Sequence, residues 1–366
     1  MNFKTYPWVS IVSICILLAG HGASAKDIDV AGTLVAEGSR EDIIIPVGAG
    51  GNNSAELETF IPVTVINGVK SGPVLATIAG VHGYEYNSIL ATEKWLANID
   101  PSTLTGTIIA VRVAHIPAFE EKSIYVNPHD RKNLNRSFPG KEDGTQTEQI
   151  AWNLSNHVIA KADFVIDLHS GDGAEWLAGF VGVYGGPLSS NYNQAMLVAE
   201  GFNFPNIVTY KMNTQKQVDT RRSLNRQAVA HGAPTILVEI GENGSKKEEH
   251  VNAMVKGLEE ATRILGITSL STINSSKVEL TSQGASASRY FEGTFSVPVN
   301  FSGLWFPEIT TGQFLKKGDT LGVVKDYFGN TVETVIAPES GFALYGLSGP
   351  SVKQGQSIMT IAKEVK

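Results

Sequence analysis

The chain has 366 residues, a length that suits two domains, with 42% hydrophobic and 18% charged residues, as in a soluble globular enzyme with a sizeable core. The net charge of -7 gives no electrostatic ground for a nucleic-acid or anionic-membrane partner. The 37 glycines fall without a period, which excludes a fibre.

In chain order, the first expected element is an export signal over residues 1–25. Lys4 supplies a positive end, residues 8–19 an uncharged apolar run, and Ala23-Ser24-Ala25 a small-x-small cleavage site, so the mature chain is expected to start at Lys26. The alternative is a retained membrane anchor, but the run is shorter than the ~20 apolar residues that a span needs. Cys15 is the only cysteine, and cleavage removes it. The expected location is therefore periplasmic or secreted, with no disulfide and no membrane partner, and any metal must be held by His and carboxylates.

Residues 26–270 alternate strand and helix patterns. Apolar runs at 73–81, 107–113, 164–168 and 235–240 read as buried strands. Residues 147–160 place Ile150, Leu154 and Val158 at a spacing of four, and 247–265 carry Val251, Val255, Leu258 and Ile264. This alternation predicts a three-layer α/β domain with a mostly parallel, mixed sheet, whose ligands sit at the carboxyl ends of the strands. A Ser/Thr-rich linker is expected at 271–288. Residues 271–366 then read as short strands between Gly turns, a small all-β barrel-like or sandwich domain. Two stretches of it echo each other, Thr311-Gly312-Gln313-Phe314-Leu315-Lys316-Lys317-Gly318-Asp319-Thr320-Leu321 and Gly349-Pro350-Ser351-Val352-Lys353-Gln354-Gly355-Gln356-Ser357-Ile358. The tail resembles the biotinyl/lipoyl barrel at Ile336-Ala337-Pro338-Glu339-Ser340-Gly341, but Tyr327-Phe328-Gly329-Asn330 holds no attachment lysine.

Four constellations carry chemistry. In Ala79-Gly80-Val81-His82-Gly83-Tyr84-Glu85-Tyr86, His82 ends a strand and Glu85 follows three residues on, so one turn aims both side chains the same way. One imidazole and one carboxylate make half of a zinc site of the two-His, one-Glu kind. In Asp163-Phe164-Val165-Ile166-Asp167-Leu168-His169-Ser170-Gly171 a second strand ends in His169, the third candidate ligand, with Asp167 placed to orient it. The loop Asp130-Arg131-Lys132-Asn133-Leu134-Asn135-Arg136-Ser137-Phe138-Pro139-Gly140 offers Asn135 and Arg136 to hold a substrate carboxylate. Glu239 interrupts the apolar strand of Gly232-Ala233-Pro234-Thr235-Ile236-Leu237-Val238-Glu239-Ile240-Gly241, where partial burial raises its pKa toward that of a useful base. Each has a plainer alternative: a surface His beside a first-turn Glu, a strand-end carboxylate that caps backbone, a solvated basic loop, a structural salt bridge.

Taken in order, His-Gly-x-Glu after a strand, Asn-Leu-Asn-Arg-Ser-Phe-Pro-Gly, Asp-Leu-His-Ser and Val-Glu-Ile-Gly resemble the succinylglutamate desuccinylase/aspartoacylase family, a branch of the zinc carboxypeptidase-like fold. The resemblance covers residues 57–265. It implies one zinc ion at His82, Glu85 and His169, Glu239 as general base, and carboxylate recognition by Asn135 and Arg136. It departs at Ile124, where members often carry an Arg that polarises the scissile carbonyl; Arg131 is the candidate substitute. His115 falls where many relatives have Asn, and His129, His157, His231 and His250 have no motif around them.

The expected reaction is zinc-dependent hydrolysis of an amide bond. The expected substrate is an N-acyl amino acid, split into a carboxylic acid and a free amino acid. The alternatives are a carboxypeptidase or amidase acting on short peptides such as cell-wall peptides, and a catalytically idle binding protein, against which the intact His82, Glu85, His169 and Glu239 argue. A homo-oligomer is compatible with the sequence.

Overall fold

A computed structural model describes residues 26–48, 58–186, 192–269 and 288–365. The expected signal over 1–25 lies outside them, as does the expected linker except for Ser288.

The four apolar runs are adjacent parallel strands. Thr105–Val111 pairs with Lys70–Ala79, which pairs with Phe164–His169, which pairs with Thr235–Glu239. All six residues of Phe164–His169 are buried, as expected of a strand covered on both faces. Outside this centre the sheet is mixed. Phe180–Gly185 runs antiparallel to Thr235–Glu239, Asn206–Lys211 parallel to Phe180–Gly185, and Arg40–Val47 and Thr59–Asn67 close the other edge antiparallel.

Helices cover both faces. On one, Tyr86–Leu96 packs against Glu248–Ile264, with Trp95, Leu96, Met254 and Leu258 in the core. On the other, Gln146–Asn153 and Leu224–Ala230 bury Ile150, Ala151, Leu224 and Ala228. The helix expected at 147–160 is regular only over Gln146–Asn153, opened by the Glu148 carboxylate accepting from the Thr145 N–H at 3.0 Å. It then loosens into a wider turn at Leu154–Val158 and a tight one at Ile159–Lys161, while Leu154 and Val158 stay buried. Among the described residues no helix is long and apolar enough to cross a membrane.

From residue 288 on, the regular elements among the described residues are all strands. These strands are not set apart from the α/β sheet. Arg289–Pro298 pairs in parallel with Asn206–Lys211, and Ser357–Glu364, Gly341–Leu347 and Phe314–Leu315 continue antiparallel into one 13-stranded sheet. The reason is physical: Asn206–Lys211 would otherwise present a row of unpaired backbone groups. A second, four-stranded sheet folds over this extension around Trp305, Leu321, Val324 and Ile361. The two echoing stretches share one local structure. Each has a two-residue strand, Phe314–Leu315 or Ser351–Val352, then a turn with a glycine at positive φ (Gly318, 93°; Gly355, 81°), then a longer strand.

Candidate active site

His82 lies just beyond Lys70–Ala79, and Glu85 is the residue before helix Tyr86–Leu96. The turn between them is very close to the neighbouring segment: a Cβ on Gly83 would lie 2.0 Å from the Ala118 carbonyl oxygen, so only glycine fits there. His169 ends the adjacent strand Phe164–His169. The Glu85 carboxylate sits between the two rings, with Oε1 2.6 Å from His82 Nδ1 and Oε2 2.7 Å from His169 Nδ1. The three candidate ligand atoms all lie within 4.8 Å of one another, and the side chains are buried.

This donor set fits a divalent cation. Glu85 Oε2 is buried, and despite its closeness to His169 Nδ1 it makes no directed hydrogen bond. Burial acts to raise the Glu85 carboxyl, but His169 and His82 outweigh it and hold the group at about 2. Burial acts to lower His169, but Asp167 and Glu85 outweigh it and push the ring well up. The cluster is thus arranged around a shared positive charge, which a metal ion bound by two imidazoles and a carboxylate supplies.

Further groups fix the two rings. Asp167 Oδ1 is 2.9 Å from His169 Nε2, an ion-pair contact without the geometry of a directed hydrogen bond. Its Oδ2 accepts from Asn225 Nδ2 at 2.6 Å, and Asn225 Oδ1 accepts from the Thr235 hydroxyl at 2.7 Å. His82 Nε2 faces Asn133 Oδ1 at 3.3 Å. Such contacts on the far ring nitrogen set its tautomer and orientation.

Glu239 stands opposite His169 in the parallel register of the neighbouring strand. Burial is the main force raising its carboxyl well above the usual range; His169 opposes this, while Glu85, Glu175 and Asp167 add to it. Glu239 and the metal trio line one cavity of ≈ 370 Å³. Asn133, Asn135, Arg136 and Asn225 form polar parts of its wall, Phe180 and Leu237 apolar parts, and Thr294 and Tyr345 reach it from the C-terminal strands.

The structure therefore brings together His82, Glu85, His169, Glu239, Asn135 and Arg136. It does not bring Arg131 with them. Arg131 is exposed, sits at φ 61° in a turn where its N–H donates to the Asn127 carbonyl at 2.9 Å, and is not among the residues that line the cavity. The turn forms because Asp130 is drawn away to the Thr147 N–H and hydroxyl, at 2.9 and 2.7 Å. His115 is a packed residue. It is fully buried, its Nδ1 lies 3.2 Å from the Val81 carbonyl, and burial pushes it down to about 4. The sequence reading overlooked Asn133, Asn225, Tyr125 and Glu175. Asn133 lies in the polar run that drew attention to Asn135, and a signal for it was present. Glu175 and Tyr125 sit in segments without pattern, where no signal was.

A cation site of two His and one Glu beside a free carboxylate, at the carboxyl edge of a mixed α/β sheet, is the arrangement that metal-assisted hydrolysis requires. Residues 71–265, more than half of the chain, match the family model described as the succinylglutamate desuccinylase/aspartoacylase catalytic domain. The chain belongs to that family. Among curated proteins it is similar to the N-alpha-acetyl-L-2,4-diaminobutyric acid deacetylase of Halomonas elongata, with 29% identity over 209 residues, or 57% of this chain and 59% of that protein's length. Among solved structures it resembles the product-bound ectoine utilization protein EutE (DoeB) from Ruegeria pomeroyi (TM-score 0.75, 24% identity, 88% of this chain and 95% of that one). It also resembles a succinylglutamate desuccinylase/aspartoacylase from Rhodobacter sphaeroides (TM-score 0.74, 20% identity, 89% and 96%). Both structures run through the C-terminal β region as well, and at these identities they speak for the fold.

Proposed function

We propose that the protein hydrolyses the amide bond of an N-acyl amino acid in a zinc-dependent reaction, releasing a carboxylic acid and a free amino acid. The observation that carries this is the pairing of Glu239 with His169 across adjacent strands, which puts a raised carboxyl beside the His82, Glu85 and His169 cluster in one cavity. The similarity to a deacetylase of an N-acetylated amino acid supports the substrate class.

His82, Glu85 and His169 would hold the zinc ion, which when bound polarises the amide carbonyl and makes water a better nucleophile. Glu239, whose raised pKa makes it a better proton acceptor than an ordinary carboxylate, takes the proton from the attacking water and then passes it to the departing nitrogen. Asn135 and Arg136 line the same cavity and hold the substrate carboxylate; the Asn135 side chain is itself anchored by accepting from the Leu224 N–H at 2.9 Å. Asp167 and Asn133 keep the two imidazoles in place. An exported, periplasmic or secreted protein is part of the proposal, supported by the apolar run at 8–19 and Ala23-Ser24-Ala25.

The test is product analysis by mass spectrometry on a panel of N-acyl amino acids and short peptides, cell-wall stems included, with and without chelator. Chelator-sensitive release of free amino acids from the acylated ones is expected. Cleavage of peptides alone would replace the proposal with a carboxypeptidase or amidase.

A further inference from the structure

The active-site cavity adjoins a second one of ≈ 290 Å³, and Tyr125, Glu175 and Tyr345 line both. The passage between them starts at the reacting groups. The Tyr125 ring stands edge-on to the His82 ring, with centroids 5.3 Å apart. The Tyr345 ring lies nearly parallel to that of Phe180, with centroids 6.3 Å apart, and Phe180 is the register partner of Glu239. Asn135 and Arg136, by contrast, line the first cavity and not the second.

The second cavity has polar residues in its wall, but most of their side chains are engaged within the chain. Asp172 is 2% exposed, and its Oδ1 accepts from the Ala174 N–H at 2.9 Å. The Ser357 hydroxyl donates to the Met359 carbonyl at 3.0 Å, the Thr360 hydroxyl pairs with that of Ser296 at 3.4 Å, and Gln356 Oε1 accepts from the Lys353 N–H at 3.1 Å. Burial, with Asp172 and Glu85 adding to it, pushes Glu175 up to about 8, so at neutral pH the passage does not carry a full negative charge there. What chiefly remains to face the space is carbon: Ile124, an aliphatic side chain that is 40% exposed, Leu347, and the two tyrosine rings. A wall of this kind offers few directed bonds and gains by removing apolar surface from water.

We propose that the second cavity receives the acyl group, so that the preferred substrate is an N-acyl amino acid whose acyl group is an extended apolar chain. The proposal rests on the reading of the first cavity as a deacylase site and names the acyl class. With the amino-acid carboxylate at Asn135 and Arg136 and the amide between the metal cluster and Glu239, the acyl chain is what continues past Tyr125 and Tyr345. A side chain on the amino acid branches from the carbon that bears the carboxylate, and so starts at the wall that the second cavity does not share. An acetyl group ends beside the metal cluster and leaves Ile124 and Leu347 in contact with water, whereas each further methylene covers them.

Two measurements on the zinc-loaded full chain separate this proposal from the reading beneath it. Calorimetry compares acetate, butyrate and hexanoate, which share a carboxylate and differ in chain length, and beside them alanine and norleucine. Hexanoate is expected to bind about 10- to 100-fold more tightly than acetate, the range for covering several methylenes. Ile124→Asn and, separately, Ala174→Phe, which fills the second cavity, are each expected to cut that ratio about fivefold; two sites are used so that misfolding of one variant does not void the test. Equal binding of the three carboxylates, or a ratio that neither folded variant changes, overturns the pocket. So does a preference for norleucine over alanine that the variants remove while the carboxylates show none, because the cavity then takes the amino-acid side chain. Turnover of N-acetylglycine and N-hexanoylglycine tests the deacylase reading by itself. Chain-length dependence in binding without turnover leaves the apolar pocket standing and removes that reading, while turnover of both with equal binding of the carboxylates does the reverse.

Discussion

His169 and Glu239 are register partners on neighbouring parallel strands, Phe164–His169 and Thr235–Glu239. Side chains in that relation lie on the same face of the sheet one strand spacing apart, ~4.8 Å. One residue can therefore help to hold a cation while the other moves a proton at the same scissile bond, without either leaving its strand.

Glu239→Gln keeps the size of the side chain and removes the proton acceptor. The expected result is a loss of about 10²- to 10⁴-fold in kcat with metal content unchanged by elemental analysis. A variant that keeps wild-type turnover takes Glu239 out of the role of base.

Asp167 touches the ring of a ligand and no bound ion, so its effect should appear in affinity. Asp167→Asn is expected to weaken zinc binding about 10- to 100-fold in a chelator competition. Asn225→Ala, one step further along the chain Thr235, Asn225, Asp167, is expected to follow in the same direction by less. Unchanged zinc affinity in Asp167→Asn would show that packing alone orients His169.

His115 makes stability depend on pH. Its folded pKa is about 4 against an ordinary 6.5, so between these values the unfolded chain takes up a proton that the folded chain refuses. Stability is therefore full above pH 6.5, falls as the pH drops from 6.5 toward 4, and is flat below. The whole effect is about 3 kcal/mol. His115→Asn removes it, and urea titrations of both proteins at pH 7 and pH 4.5 should converge at the lower pH relative to the higher. Parallel curves would assign the acid sensitivity elsewhere.

Gly83→Ala tests the turn that aims His82 and Glu85 together. Its new methyl group would lie 2.0 Å from the Ala118 carbonyl oxygen, and backbone has to move. A loss of about 1–3 kcal/mol in urea unfolding is expected, with weaker metal binding at the same time. Wild-type values for both would mean that the segment Ile116–Glu120 yields easily.

Much of the α/β fold could be read from the chain because its strands are buried on both faces and so written as unbroken apolar runs. The candidate ligands could be read because a metal site limits both residue type and spacing: Glu85 three residues after His82, and His169 and Glu239 each at the end of a largely apolar run. The motif order then made the set specific where each motif was not. The loop was legible only in part. Asn135 and Arg136 reach the cavity, whereas Arg131, in the same polar run, is turned out by the hydrogen bonds of Asp130 to Thr147.

The amino-acid order, then, settled residue type and local spacing: which runs are strands, which side chains could hold a cation, which carboxyl group interrupts an apolar strand. Folding in three dimensions settled what depends on neighbours remote in sequence. That the C-terminal strands extend the main sheet follows from the open edge at Asn206–Lys211, which no local pattern records. That Tyr345 and Thr294 reach the cavity, and that Asp172 and Glu175 line the cavity beside it, follows from that same pairing and from Glu175–Leu177 docking on Gly341–Leu347. Periodicity reports how one element meets the core; the wall of a cavity is made where several elements meet, and its charge balance exists only after they have done so.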